Sequence, residues 1–109
     1  MDTNTIDKEN MISVLRNFPK MMEEVQSLGD DITFPKEFIS NIAVCGMGGS
    51  GFAGDLLKVY LSDLPVEIHA VKDYNLPQVI QRKSLVFAVS YSGNTEETVS
   101  AYRSAIRRG

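Results

Sequence analysis

Apolar residues along this chain fall into two patterns, one at helical spacing and one in short unbroken runs. Between residues 5 and 28, Met11, Ile12, Val14, Leu15 and Phe18, then Met21, Met22 and Val25, recur every three to four positions. Asp7 and Glu9 favour a helix start. Pro19 is expected to interrupt this helix and begin a second one, which Gly29 ends. Residues 30–40, with Pro35 among polar neighbours, read as a connector. Three strands are then expected at residues 41–45, 66–71 and 85–89. The first and third are apolar on both faces, as strands sandwiched between helices are. Between the first two strands, Ser50 reads as the N-cap of a helix running to about residue 61, with Ala53, Leu56, Leu57, Tyr60 and Leu61 as its buried stripe. After the third, Asn94 reads as the cap of a last helix with Glu97 three residues on, and Val99, Tyr102, Ala105 and Ile106 as its stripe. Arg107 and Arg108 suit the negative end of that helix.

Strands alternating with helices, and strands apolar on both faces, predict an α/β fold with a parallel sheet. Right-handed crossovers leave few arrangements. In the flavodoxin-like order 2-1-3, strands one and three are neighbours whose connections leave on opposite faces. That is a topological switch point, where a crevice opens at the carboxyl ends of the strands.

The two segments that follow strands one and three carry the candidate chemistry. The first is Gly46-Met47-Gly48-Gly49-Ser50-Gly51 and the second is Ser90-Tyr91-Ser92-Gly93-Asn94-Thr95. Each offers backbone N–H groups, hydroxyls and a helix N-terminus at one point, which suits a phosphate or another small anion. Hydrogen bonds to a charged group contribute roughly 1.5–3 kcal/mol each, so a cradle without metal is adequate for a sugar phosphate. Gly46, Gly48 and Gly51 also satisfy G-x-G-x-x-G, and Asp73 lies where a ribose-binding acid would sit, so a dinucleotide site is the rival reading. Three hydroxyls at Ser90, Ser92 and Thr95 are more than a ribose or adenine edge needs there. A nucleoside-triphosphate P-loop is excluded because the lysine of its motif is missing.

Composition narrows the partners. The 109 residues carry a net charge of −3, with no basic face that would advertise nucleic acid. An anion must therefore be held by local donors, since the overall field does not attract it. The start of the chain lacks the basic and apolar segments of a signal peptide, and no apolar run reaches membrane-spanning length. Cys45 is the sole cysteine and reads as a small core residue, which fits a reducing, cytoplasmic setting. His69 reads as an ordinary strand side chain rather than a catalytic base.

Ser90-x-Ser92-Gly93-x-Thr95-x-Glu97 matches the S-x-S-G-x-T-x-E signature of SIS (sugar isomerase) domains, which bind phosphosugars. With the glycine segment, residues 88–95 and Val71-Lys72-Asp73-Tyr74, the chain resembles the archaeal-type bifunctional phosphoglucose/phosphomannose isomerases. The resemblance implies that Gly49, Ser50, Ser90, Ser92 and Thr95 bind the substrate phosphate or sugar hydroxyls. It implies no cofactor, no metal and a homodimer. It further implies interconversion of glucose 6-phosphate or mannose 6-phosphate with fructose 6-phosphate by a proton shift through an enediolate, on a carboxylate base. In that family the base lies beyond the matched segment, and Glu96 and Glu97 read instead as first-turn carboxylates favoured by the helix dipole. Residues 1–40 are expected to form a helical segment and connector, and residues 41–109 the N-terminal part of one SIS domain, a partial domain whose third strand is an exposed edge. SIS domains also serve amidotransferases and sugar-responsive regulators, so a non-catalytic phosphosugar sensor is the second reading.

Overall fold

The computed structural model describes residues 3–34 and 36–109. Met1 and Asp2, part of the start read for a leader, and Pro35 of the connector lie outside the described residues. The chain divides into two compact units, Met1–Pro35 and Lys36–Gly109.

The first unit holds α1 (Thr3–Ile6) and α2 (Met11–Val25). Asp7 starts α2: its carboxylate accepts the N–H groups of Met11 at 2.6 Å and Ile12 at 2.8 Å. Asn10, the residue before the helix, takes a left-handed conformation with φ of 55°. The interruption expected at Pro19 does not occur, and α2 runs through it. Proline's fixed φ suits a helix, and the ring removes a single donor, at a cost of about 3 kcal/mol.

The second unit is a three-stranded parallel sheet in the order β2-β1-β3, as the sequence predicts. The strands are β1 (Asn41–Cys45), β2 (Glu67–Val71) and β3 (Ser84–Ala88), with α3 (Gly48–Tyr60) after β1 and α4 (Glu96–Arg108) after β3. The register pairs Cys45 with Val71 on one side and with Ala88 on the other, so all three strands end level. Period-2 alternation then separates the faces. Ala43, Cys45, Val71 and Val86 point to the face where Leu76, Ile80, Ala101 and Ala105 close the core. Val44 and Ala70 point to the other face, beneath α3, where a Cβ on Gly54 would lie 3.1 Å from each of their Cβ atoms.

The helix stripes agree only in part with those the sequence predicts: Ala105 packs against the core as expected, but the most buried positions are different ones. In α3 the buried residues are Gly51 and Gly54, while Leu56 and Tyr60 are exposed. In α4 they are Thr98 and Ala101, while Tyr102 and Ile106 are exposed. Small residues face the sheet in both cases, which lets each helix axis lie close to strands lined by alanine and valine.

Segment 72–83 is fixed by burial of Leu76 and Ile80 and by the end of α4. The Arg108 guanidinium donates to the carbonyls of Pro77 at 2.7 Å, Ile80 at 2.8 Å and Leu76 at 3.1 Å. No helix among the described residues is long and apolar enough to cross a membrane.

Candidate functional site

The level strand ends place residues 46–51 and residues 90–95 at the same edge of the sheet, after its neighbouring strands β1 and β3. The Val89 N–H donates to the Cys45 carbonyl at 2.8 Å, which carries the β1–β3 pairing to the threshold of both segments. From there α3 and α4 depart on opposite faces of the sheet, the geometry of a switch point.

The first segment is shaped by close backbone contact. Gly46 is buried, its N–H donates to the Val71 carbonyl at 3.1 Å, and a Cβ on it would lie 2.7 Å from the Ser50 carbonyl oxygen. A Cβ on Gly51 would lie 2.7 Å from the Gly46 carbonyl oxygen. The chain is thus folded on itself where only glycine fits. Gly48 has φ of 54°, and the bond from the Gly51 N–H to the Met47 carbonyl starts the helical ladder at Met47. Ser50 therefore sits inside the first turn of α3 and is not its N-cap. That first turn leaves the N–H groups of Gly48, Gly49 and Ser50 without intrahelical partners. Gly49 is exposed and Ser50 half-buried, so both are open to a ligand.

The second segment is held by its own hydroxyls. Ser90 Oγ lies 2.9 Å from Thr95 Oγ1 and 3.4 Å from Ser92 Oγ, and accepts the Gly93 N–H at 3.0 Å. Ser92 Oγ accepts the Asn94 N–H at 3.2 Å. Thr95, not Asn94, is the N-cap of α4, and its side chain makes no capping bond because it turns back to Ser90. Three hydroxyls carry three protons, and two mutual contacts use at most two of them. At least one donor is left for a ligand. The structure therefore brings Ser90, Ser92 and Thr95 together as one cluster, with Gly49 and Ser50 on the neighbouring turn. A cavity of about 180 Å³ beside the cluster is lined by Ala88, Ser90, Gly93, Thr98, Val99 and Tyr102, and Ser50 does not line it.

Charges at this edge come from residues that periodicity does not single out. The Tyr74 hydroxyl donates to Glu96 Oε2 at 3.2 Å. That bond to Glu96, then the negative charge of Glu97, raises the Tyr74 phenol above its ordinary value. Lys72 Nζ donates to Asp55 Oδ2 in α3. At the other end of β2, His69 Nε2 lies 3.4 Å from Glu67 Oε1. The period-2 spacing of Glu67 and His69 puts both on one face and could have flagged the pair. Burial pushes the Cys45 thiol up to about 11. Among the described residues no three of His, Cys, Asp and Glu cluster so as to hold a metal ion.

A parallel α/β sheet with two anion-suited turns at its switch point defines the class, and comparison supplies the family. Residues 39–109 match the SIS domain family, and the chain belongs to it. It is 38% identical over 104 residues to a bifunctional phosphoglucose/phosphomannose isomerase of Caldicellulosiruptor bescii, covering 91% of this chain and 30% of that protein. It is 43% identical over 91 residues to a protein of the same name from Thermoplasma acidophilum, covering 80% and 29%. It is also 46% identical over 68 residues to a D-glucosamine-6-phosphate 4-epimerase of Sulfolobus acidocaldarius, covering 62% and 21%. The chain thus spans about 30% of the length of the first two relatives. No solved structure matches it.

Proposed function

We propose that this chain supplies the phosphosugar-binding part of an aldose–ketose isomerase interconverting glucose 6-phosphate or mannose 6-phosphate with fructose 6-phosphate. The observation that carries the reading is the hydroxyl cluster Ser90–Ser92–Thr95 standing beside the Gly49–Ser50 turn at the ends of adjacent parallel strands. The names of relatives covering 80% and 91% of the chain support the substrate class. In this reading Gly49, Ser50, Ser90, Ser92 and Thr95 hold the phosphate or sugar hydroxyls. The two helix N-termini lend their dipoles to the same charge. The isomerase step moves a proton between C1 and C2 and needs a carboxylate base. Glu96 is tied to Tyr74, so we assign the base to sequence outside this chain. A homodimer in the cytoplasm, with no cofactor, belongs to the same proposal.

The test is calorimetric titration of fructose 6-phosphate into the wild-type chain and into a Ser90→Ala/Thr95→Ala variant. Loss of two bonds to a charged group is expected to weaken binding by more than about tenfold. Equal affinity in the two proteins sinks the assignment of these residues. Binding of NAD with no response to the sugar phosphate overturns the phosphosugar reading itself in favour of a dinucleotide site. The epimerase relative gives a second reading, a different chemistry on a 6-phosphohexose. Stronger binding of glucosamine 6-phosphate than of fructose 6-phosphate favours it.

A further inference from the structure

Basic residues of the Lys36–Gly109 unit are distributed unevenly with respect to the site. Lys36, Arg82 and Lys83 precede strands, and the other basic residues except Lys72 lie in the second halves of α3 and α4. In a parallel sheet, residues in front of strands and at the far ends of the returning helices belong to the amino end. Lys72 immediately follows Val71, the last residue of β2, and so stands at the carboxyl end with the two turns. Val71 is also the residue whose carbonyl receives the Gly46 N–H, so Lys72 is one peptide away from the clamp on the glycine turn.

The lysine stem has a track of its own. Its Cε would lie 3.3 Å from a Cβ on Gly51, so it passes over the bare backbone of that glycine in the first turn of α3. Beyond the glycine its ammonium donates to Asp55, one turn further along α3. Both partners are roughly half exposed, at 48% and 44% of their side-chain surface. Such a surface pair contributes little to stability. What it does is keep a cation on a flexible four-carbon stem over Gly51, in the helical turn that also carries Gly49 and Ser50.

We propose that Lys72 is the cation of the phosphosugar site: it rests on Asp55 when the site is empty and transfers to the ligand's phosphate when the site fills. The proposal rests on the phosphosugar reading above. An otherwise acidic rim, with Asp73, Glu96 and Glu97, would repel a dianion, and Lys72 is the group that offsets this. Asp55 is then a competitor for the lysine, a positioning residue whose removal should help binding.

This sets up two variants that break one ion pair with opposite consequences. Fructose 6-phosphate and inorganic phosphate are titrated into wild type, Lys72→Met and Asp55→Asn at low salt. Lys72→Met is expected to weaken both ligands by about tenfold and to flatten the salt dependence of binding. Asp55→Asn is expected to tighten both by about threefold, since the lysine no longer has to leave a carboxylate. Lys72→Arg should retain binding. If the pair is only a strut between β2 and α3, the two variants weaken binding in parallel or change nothing, and the proposal is wrong while the phosphosugar reading stands. If wild type binds neither ligand, the phosphosugar reading fails and this proposal with it.

Discussion

The two turns at the switch point serve one edge of the sheet but are built by opposite means. Residues 46–51 are shaped by their own backbone, folded on itself so closely that Gly46 and Gly51 leave no room for a Cβ. Residues 90–95 are shaped by side chains, by hydroxyls that bond one another and accept the N–H groups of Gly93 and Asn94. Around Gly93 there is open space, and its φ of 70° is the sole reason for glycine there. The first turn can offer its N–H groups without rearranging. The second already spends part of its hydrogen-bonding capacity on itself, so a ligand that needs more than the one free donor must take over contacts the hydroxyls now make with each other. A rigid turn and an adaptable one at the same sheet edge would thus ask different rearrangements of a ligand.

The largest effect expected from this contrast is at the packed turn. Gly51→Ala puts a methyl group 2.7 Å from the Gly46 carbonyl oxygen, a backbone atom that cannot rotate away. The chain should lose about 3 kcal/mol of stability, the upper range for overpacking, with a matching fall in the urea midpoint. Gly46→Ala meets the Ser50 carbonyl oxygen at the same distance and should behave alike. A loss under about 1 kcal/mol for both would show that the turn adapts and that the contrast is false.

How much of this is legible in the sequence depends on residue size. Strands β1 and β3 were readable because unbroken apolar runs end at glycine or serine, and the order β2-β1-β3 followed from crossover handedness. The serines and threonine of the second turn announced themselves by composition. The helix faces are only partly legible because periodicity weights large residues, whereas the sheet is approached by Gly51, Gly54, Thr98 and Ala101. Periodicity thereby puts Leu56 and Tyr102 inside, although both are more than half exposed. Arg108 read as a charge at a helix end. Its three bonds to segment 76–80 depend on a tertiary approach that local sequence does not encode. The track of Lys72 over Gly51 is illegible for the same reason: it exists only once β2 lies beside α3.

A smaller effect should mark the self-bonded turn. Gly93→Ala meets nothing within 4 Å, so its cost is the left-handed backbone alone. That is about 1–2 kcal/mol, to be read from the same urea titration. Because the Gly93 N–H must still reach Ser90 Oγ, the variant should keep its affinity for fructose 6-phosphate within a few-fold if the hydroxyl cluster survives. A loss as large as that of Gly51→Ala would mean that the second turn is packed after all.

The smallest expected effect concerns the floors of the two turns. Cys45 ends β1 with 1% of its surface exposed, while its register partner Ala88 at the end of β3 is exposed. Burial disfavours the thiolate and raises the thiol from its ordinary 9.0 to about 11. Above pH 9 the unfolded chain therefore releases this proton while the folded chain retains it. Stability contributed by the neutral thiol is full below the ordinary value and falls as pH rises towards 11. The loss at pH 10 is about 1 kcal/mol relative to pH 8. Cys45→Ala removes this component, so the difference between the two proteins' pH profiles isolates it. A difference that stays flat from pH 8 to pH 10 would place solvent beneath the first turn. The two floors would then be alike, and the rigidity ascribed to residues 46–51 would have to come from the glycines alone.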